Sequence, residues 1–138
     1  MVPNLKLYVG PMFSGKSTKL LEQVDRYKFA KKSIICFKPK MDNRYTQEGF
    51  IVTHSGSHVP CVLISKGHEI LDYFIDKELP DAIAIDEAFM IDGIANTCLN
   101  FFYDKRIDVL VSTLDLSSSL SSFEEVCTLL GHATKIKK

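Results

Sequence analysis

The chain has 138 residues, with 46% hydrophobic and 25% charged side chains, the proportions of one ordinary globular domain able to bury a core. Its 17 basic and 17 acidic side chains cancel, which excludes a global field drawing it onto nucleic acid or an anionic membrane; any anion site must be local. No apolar stretch reaches the ~18–20 residues of a membrane span and the N-terminus reads without a secretory leader, so a cytoplasmic protein is expected.

In chain order, short apolar runs alternate with helical spacing, which predicts one α/β domain over residues 1–138 with a mainly parallel sheet. Leu5 to Val9 reads as the first strand. From Ser17 to about Lys31 the pattern turns helical, with Leu20, Leu21, Val24 and Tyr27 as the apolar stripe and Glu22–Arg26 as a favourable pair four apart. Ser33 to Lys38 is a second strand, stopped by Pro39. Met41 to Gly49 is polar and loop-like. Ile51–His54 and Val59–Ile64 flank Ser55-Gly56-Ser57 as a short hairpin.

His68 to Lys77 is expected to be helical, with Ile70, Leu71, Phe74 and Ile75 on one face, and Ala82 to Ile85 is a compact strand. A helix over Ile94–Tyr103, a strand over Ile107–Leu114 and a last helix over Phe123–Leu130, closed by Gly131, complete the pattern. The serine-rich stretch Ser117–Ser122 reads as a loop. Cys36, Cys61, Cys98 and Cys127 lie far apart with no Cys-x-x-Cys, which predicts free thiols rather than disulfides or a zinc site. Cys36 and Cys98 sit in apolar segments and are expected in the core.

Gly10-Pro11-Met12-Phe13-Ser14-Gly15-Lys16-Ser17 matches the phosphate-binding loop pattern between a strand and an amphipathic helix. Its glycines let the backbone turn several N–H groups inward onto phosphate oxygens, and the helix N-terminus adds partial positive charge. Lys16 reaches the β and γ phosphates of ATP, and the Ser17 hydroxyl is a ligand for Mg2+. Farther on, Asp86 and Glu87 follow the apolar strand Ala82–Ile85, and ligands of open parallel sheets bind beyond such strand ends. Asp86 is placed to hold the magnesium shell, and Glu87 to act as general base. That base could activate a substrate hydroxyl, making a kinase, or water, making an ATPase.

These residues resemble the type II thymidine kinases, the zinc-containing family. Gly10 to Thr18 reproduces that family's G-P-M-F-S-G-K-S-T; Arg26-Tyr27 and Ala30 match the R-Y or R-F and the alanine at the end of its first helix. Lys38 with Asp42-Asn43-Arg44-Tyr45 stands for K-x-x-x-D-x-R-Y, and Thr53-His54-Ser55-Gly56 for T-H-D-G with the acid replaced. Ile85-Asp86-Glu87-Ala88 with Phe89 and Met90 matches I-D-E-A/G-Q-F-F, and Leu114-Asp115 ends the expected apolar strand. The resemblance implies a phosphate-loop NTPase-like fold and phosphorylation of a deoxynucleoside 5′-hydroxyl, with Glu87 as base.

It further implies that Asp86, Ala88 and Phe89 border the nucleotide, that Asp42 and Arg44 lie near the transferring group, and that Met12, Met90 and Leu114 line the base pocket. A four-subunit assembly is common in such proteins. The family's next motif departs here, since Ser118 and Leu120 replace its phenylalanine and arginine and Phe89 replaces a glutamine. The family's two Cys-x-x-Cys pairs and its closing loop would follow Lys138, so no zinc is expected in residues 1–138. A nucleotide-binding module without kinase activity is the alternative those departures leave open. His54, His58, His68 and His132 show no metal spacing, Arg106 reads as a surface charge, and Lys135, Lys137 and Lys138 as a solvated chain end.

Overall fold

The computed structural model describes residues 2–10, 16–40, 49–52, 58–114 and 120–138, with backbone alone at 52, 58 and 120–123. Alternating apolar residues build β1 (Leu5–Val9), followed by α1 (Lys16–Phe29), β2 (Ile34–Pro39), β3 (Phe50–Val52), β4 (His58–Pro60) and β5 (Val62–Ile64). Then come α2 (His68–Tyr73), β6 (Ala82–Ile85), a 3-10 turn Ala88–Met90 and α3 (Ile94–Leu99), which runs into a π-helical turn Asn100–Asp104. The last elements are β7 (Asp108–Thr113), α4 (Leu120–His132) and β8 (Lys135–Lys137).

Six strands form one sheet in the order β5-β2-β6-β7-β1-β8, all pairs parallel. β3 and β4 make a separate antiparallel hairpin. The predicted α/β class with a parallel sheet and a small hairpin is therefore the observed one. Strand side chains alternate between two cores. Leu7, Val9, Ile83, Ile85, Val109 and Val111 face α2, α3 and α4 with Phe37, Ile70, Phe101 and Leu129. Tyr8, Ala82, Ala84 and Leu110 face α1 and the hairpin, against Leu20, Leu21, Val24, Ile51 and Val59.

Several boundaries differ from the sequence reading. The run Val59–Ile64 splits at Cys61, so that β4 serves the hairpin and β5 joins the main sheet beside β2. Pro60 supplies no N–H, and the Cys61 N–H goes to the Gly49 carbonyl at 2.7 Å. A Cβ on Gly49 would lie 2.6 Å from the Cys61 oxygen, so this crossing requires glycine. α2 stops at Tyr73, after which Phe74, Ile75 and Lys77 each donate to the carbonyl three residues back. Phe74 turns into an aromatic cluster with Phe37, Tyr73 and Phe101, and Ile75 is left outside, exposed rather than on the buried face.

The expected single helix Ile94–Tyr103 widens into the π turn, where Lys105 donates to the Asn100 carbonyl five residues back and adjacent Phe101 and Phe102 are both buried. β7 is one residue shorter at each end than the expected Ile107–Leu114. α4 begins at Leu120, so Leu120–Ser122 are helical rather than loop, while 117–119 lie outside the described residues. Gly131 lies within the last turn of α4 and is no left-handed cap, because Gly93 is the positive-φ glycine among the described residues.

Lys135–Lys137, expected as a solvated end, is exposed but pairs along β1 as an edge strand. Glu22 and Arg26 form no ion pair: among the described residues the ion pairs are Lys66–Asp92 and His68–Asp72. Arg106 is exposed as expected. No described helix is long and apolar enough to cross a membrane.

Two features fix the layer below the site. Glu125 of α4 accepts the Gly93 N–H at 3.1 Å and the Ala95 N–H at 3.0 Å, satisfying donors at the start of α3 that the helix itself cannot. Glu125→Ala is expected to cost about 1–2 kcal/mol, a fall in Tm of roughly 3–8 °C by calorimetry. The four cysteines are free, as expected, with Cys36 and Cys98 buried and Cys127 exposed. Burial pushes the Cys36 thiol up to about 12 and the Cys61 thiol up to about 11, and raises Cys98 as well. Brief iodoacetamide treatment near neutral pH should therefore label Cys127 first and spare Cys36 and Cys98 until unfolding, as read by peptide mass spectrometry.

Candidate active site

Three adjacent strands end together on one edge of the sheet. β7 lies between β1 and β6, with Val9 level with Thr113 and Ile85 level with Val111. The chain leaving β1 passes through buried Gly10 and re-enters as α1 at Lys16, whose side chain is 8% exposed. Lys16 makes no ion pair with any described residue. With no counter-ion among the described residues, the lysine charge would gain one from an arriving anion. Ser17 and Thr18, next along the first turn, are half-buried.

Asp86 stands one residue past β6 and is 5% exposed. Its N–H donates to the Phe37 carbonyl at 2.9 Å, so β2 fixes the backbone. The Ser17 hydroxyl donates to Asp86 Oδ1 at 2.8 Å, which joins the head of α1 to the end of β6 across 69 residues of sequence. Ser112 of β7 donates to the same oxygen. Among the described residues Asp86 Oδ2 accepts no hydrogen bond, and Ser17, having given its proton to Asp86, keeps oxygen lone pairs. That donor set fits a hard cation such as Mg2+, which takes one or two protein oxygens and completes its shell with water and phosphate. Among the described residues no three His, Cys, Asp or Glu side chains group as a metal cage.

Glu87 follows in a left-handed conformation, φ 51° and ψ 47°, which costs a non-glycine residue roughly 1–3 kcal/mol. Its carbonyl accepts the Met90 N–H at 3.1 Å, starting the 3-10 turn, and its N–H donates to the Ser112 hydroxyl at 3.4 Å. The backbone therefore turns at Glu87. Ala88 is buried, Phe89 half-buried, Met90 42% exposed and Leu114 half-buried.

The structure thus brings Gly10, Lys16, Ser17, Thr18, Asp86, Glu87 and Ala88 to one sheet edge, with Phe89, Met90 and Leu114 on the flanking segments. Pro11, Met12, Phe13, Ser14, Gly15, Asp42, Arg44 and His54 lie outside the described residues. Lys38, matched by sequence to the same motif as Asp42, reaches the Phe50 carbonyl at 2.5 Å and ties β2 to the hairpin. Sequence reading missed Ser112. Its signal was two hydroxyl residues, Ser112 and Thr113, closing an otherwise apolar strand; both are fully buried.

A family model described as thymidine kinase matches residues 3–138. A thymidine kinase of Pseudothermotoga lettingae is 33% identical over 138 residues, covering 100% of this chain and 73% of that protein. A thymidine kinase of Aster yellows witches'-broom phytoplasma is 31% identical over 134 residues, 97% of this chain and 63% of its own length. The chain belongs to the thymidine kinase family.

Proposed function

We propose that this domain transfers the γ-phosphoryl group of ATP to the 5′-hydroxyl of thymidine or a related deoxynucleoside in the cytoplasm, in an oligomer such as the four-subunit form the resemblance implies. The observation that carries the reading is the Ser17–Asp86 hydrogen bond, which assembles the phosphate-loop helix and the acid pair into one site.

The chain's own groups divide the work. Gly10 to Thr18 cradle the polyphosphate, with inward N–H groups and the α1 N-terminus meeting its charge. Lys16 sits at the head of the helix as the buried cation toward the β and γ oxygens. Ser17 and Asp86 would hold Mg2+, which when bound neutralises charge on the phosphate oxygens. Glu87 takes the proton from the acceptor hydroxyl as its oxygen attacks phosphorus, and the bond to the ADP leaving oxygen breaks. Asp42 and Arg44 flank the transferring group, Ala88 and Phe89 the nucleotide, and Met12, Met90 and Leu114 the acceptor base. Positioning and charge neutralisation supply most of the rate in phosphoryl transfer, so few residues suffice.

The test is incubation with γ-labelled ATP, Mg2+ and a panel of deoxynucleosides. Label on a nucleoside supports the proposal. Free labelled phosphate alone would instead mean that Glu87 activates water. Bound but unconsumed ATP would indicate a nucleotide-binding module without kinase activity, a reading favoured by Ser118 and Leu120 standing where the family motif has phenylalanine and arginine.

A further inference from the structure

We propose that Ser112 is a positioning residue that sets the Asp86 carboxylate for the metal–nucleotide complex while holding the turn of backbone that carries Glu87. The inference rests on the function proposed above and adds a residue to its site.

Topology makes Ser112 the junction. The phosphate loop leaves β1 and the acids leave β6, two strands that do not touch because β7 separates them. Ser17 crosses that gap from the head of α1, and β7, which lies in it, offers a second bridge. Ser112 is the residue that can form it, since it pairs in register with Tyr8 and lies one step beyond the last β6 pair, Ile85 with Val111. It follows Leu110 by two, which puts its side chain on the α1 face with Ser17.

Both sides of the hydroxyl are used. Its proton goes to Asp86 Oδ1, and its oxygen accepts the Glu87 N–H. With Ser17 also on Oδ1, the described residues fix the carboxylate through one oxygen, and among them Oδ2 is left as the oxygen for the cation. The Glu87 N–H belongs to the residue in left-handed backbone, so the same hydroxyl ties down the strained link. An alanine would lose both bonds at a fully buried position, and the carboxylate could rotate to share its oxygens between Ser17 and the metal.

The readout is the factor by which Mg2+ tightens ATP binding, from calorimetry with and without the metal, which requires no acceptor. Ser112→Ala should lower that factor about tenfold, while Mg2+-free ATP binds within about twofold of wild type. In an Asp86→Asn background, Ser112→Ala should add less than about twofold, because the serine acts through the aspartate. With thymidine present, kcat should fall more than KM rises.

A magnesium factor unchanged by Ser112→Ala would overturn the proposal, as would effects of the two substitutions that simply multiply. A general loss of packing would weaken ATP binding equally with and without Mg2+, which also counts against it. If wild-type protein bound no ATP, the broader function would fail instead, a result distinguishable from failure of the Ser112 role.

Discussion

Glu87→Gln is expected to lower kcat by about 10²–10⁴-fold while Mg–ATP affinity stays within roughly threefold of wild type. Glutamine keeps the size and the hydrogen-bonding reach of the side chain but cannot accept the acceptor's proton at neutral pH. The backbone fixes where that side chain starts: Glu87 sits in left-handed conformation at φ 51°, between the β6 end and the 3-10 turn, with its N–H on Ser112. Such strain persists where neighbouring structure over-determines it, and it concentrates at functional positions. Rapid-quench measurement of nucleoside phosphate, paired with calorimetry of ATP binding, checks both halves. An unaltered kcat would remove Glu87 from the base role and leave the phosphate site standing.

Lys16→Ala is expected to weaken Mg–ATP binding by about 2–4 kcal/mol, roughly 30- to 1000-fold. Lys16 is 8% exposed at the first position of α1, and no described residue neutralises it. Its ammonium is a strong charge-assisted partner for a polyphosphate. The same reasoning gives an opposite sign for the unliganded protein. Removing a charge that no described residue neutralises should leave Tm unchanged or higher without nucleotide, whereas the rise in Tm on adding Mg–ATP should nearly vanish. Thermal scans of both proteins, with and without Mg–ATP, measure the two signs together. A variant that lost stability but kept its nucleotide-dependent rise would assign Lys16 to the fold instead.

Much of this was legible because each signal is local. The phosphate loop reads from Gly10 to Ser17 in one stretch, and Asp86-Glu87 closes a four-residue apolar strand. Neither needs tertiary knowledge. The buried strands β1, β2, β6 and β7 were found because strands covered on both faces must be apolar almost throughout. What sequence could not give was set by partners far along the chain. Ser112 reads as one more strand residue until the sheet places it 26 positions from Asp86 in sequence and within hydrogen-bond reach of it in space.

β8 escaped notice because Lys-Ile-Lys offers a single apolar residue. Pairing with β1 holds it, and lysine suits an exposed sheet edge. The run from Val59 to Ile64 looked continuous because apolar pattern alone does not show a change of sheet. Pro60 and the Gly49–Cys61 crossing impose that change. At α4, serine's preference for local backbone bonds pointed to a loop through Ser122, yet the helix begins at Leu120. The pull on Glu125 from the start of α3 anchors that helix from a distance no local propensity encodes.

The most direct measurement follows the phosphorus itself. Phosphorus NMR of wild-type protein with ATP, Mg2+ and thymidine should show ADP and a nucleoside 5′-monophosphate growing in equal amounts, both at least about a hundredfold more slowly for Glu87→Gln. Inorganic phosphate growing in place of the monophosphate, or ATP persisting unchanged beside folded wild-type protein, would contradict the claim that these strand ends form a phosphoryl-transfer site.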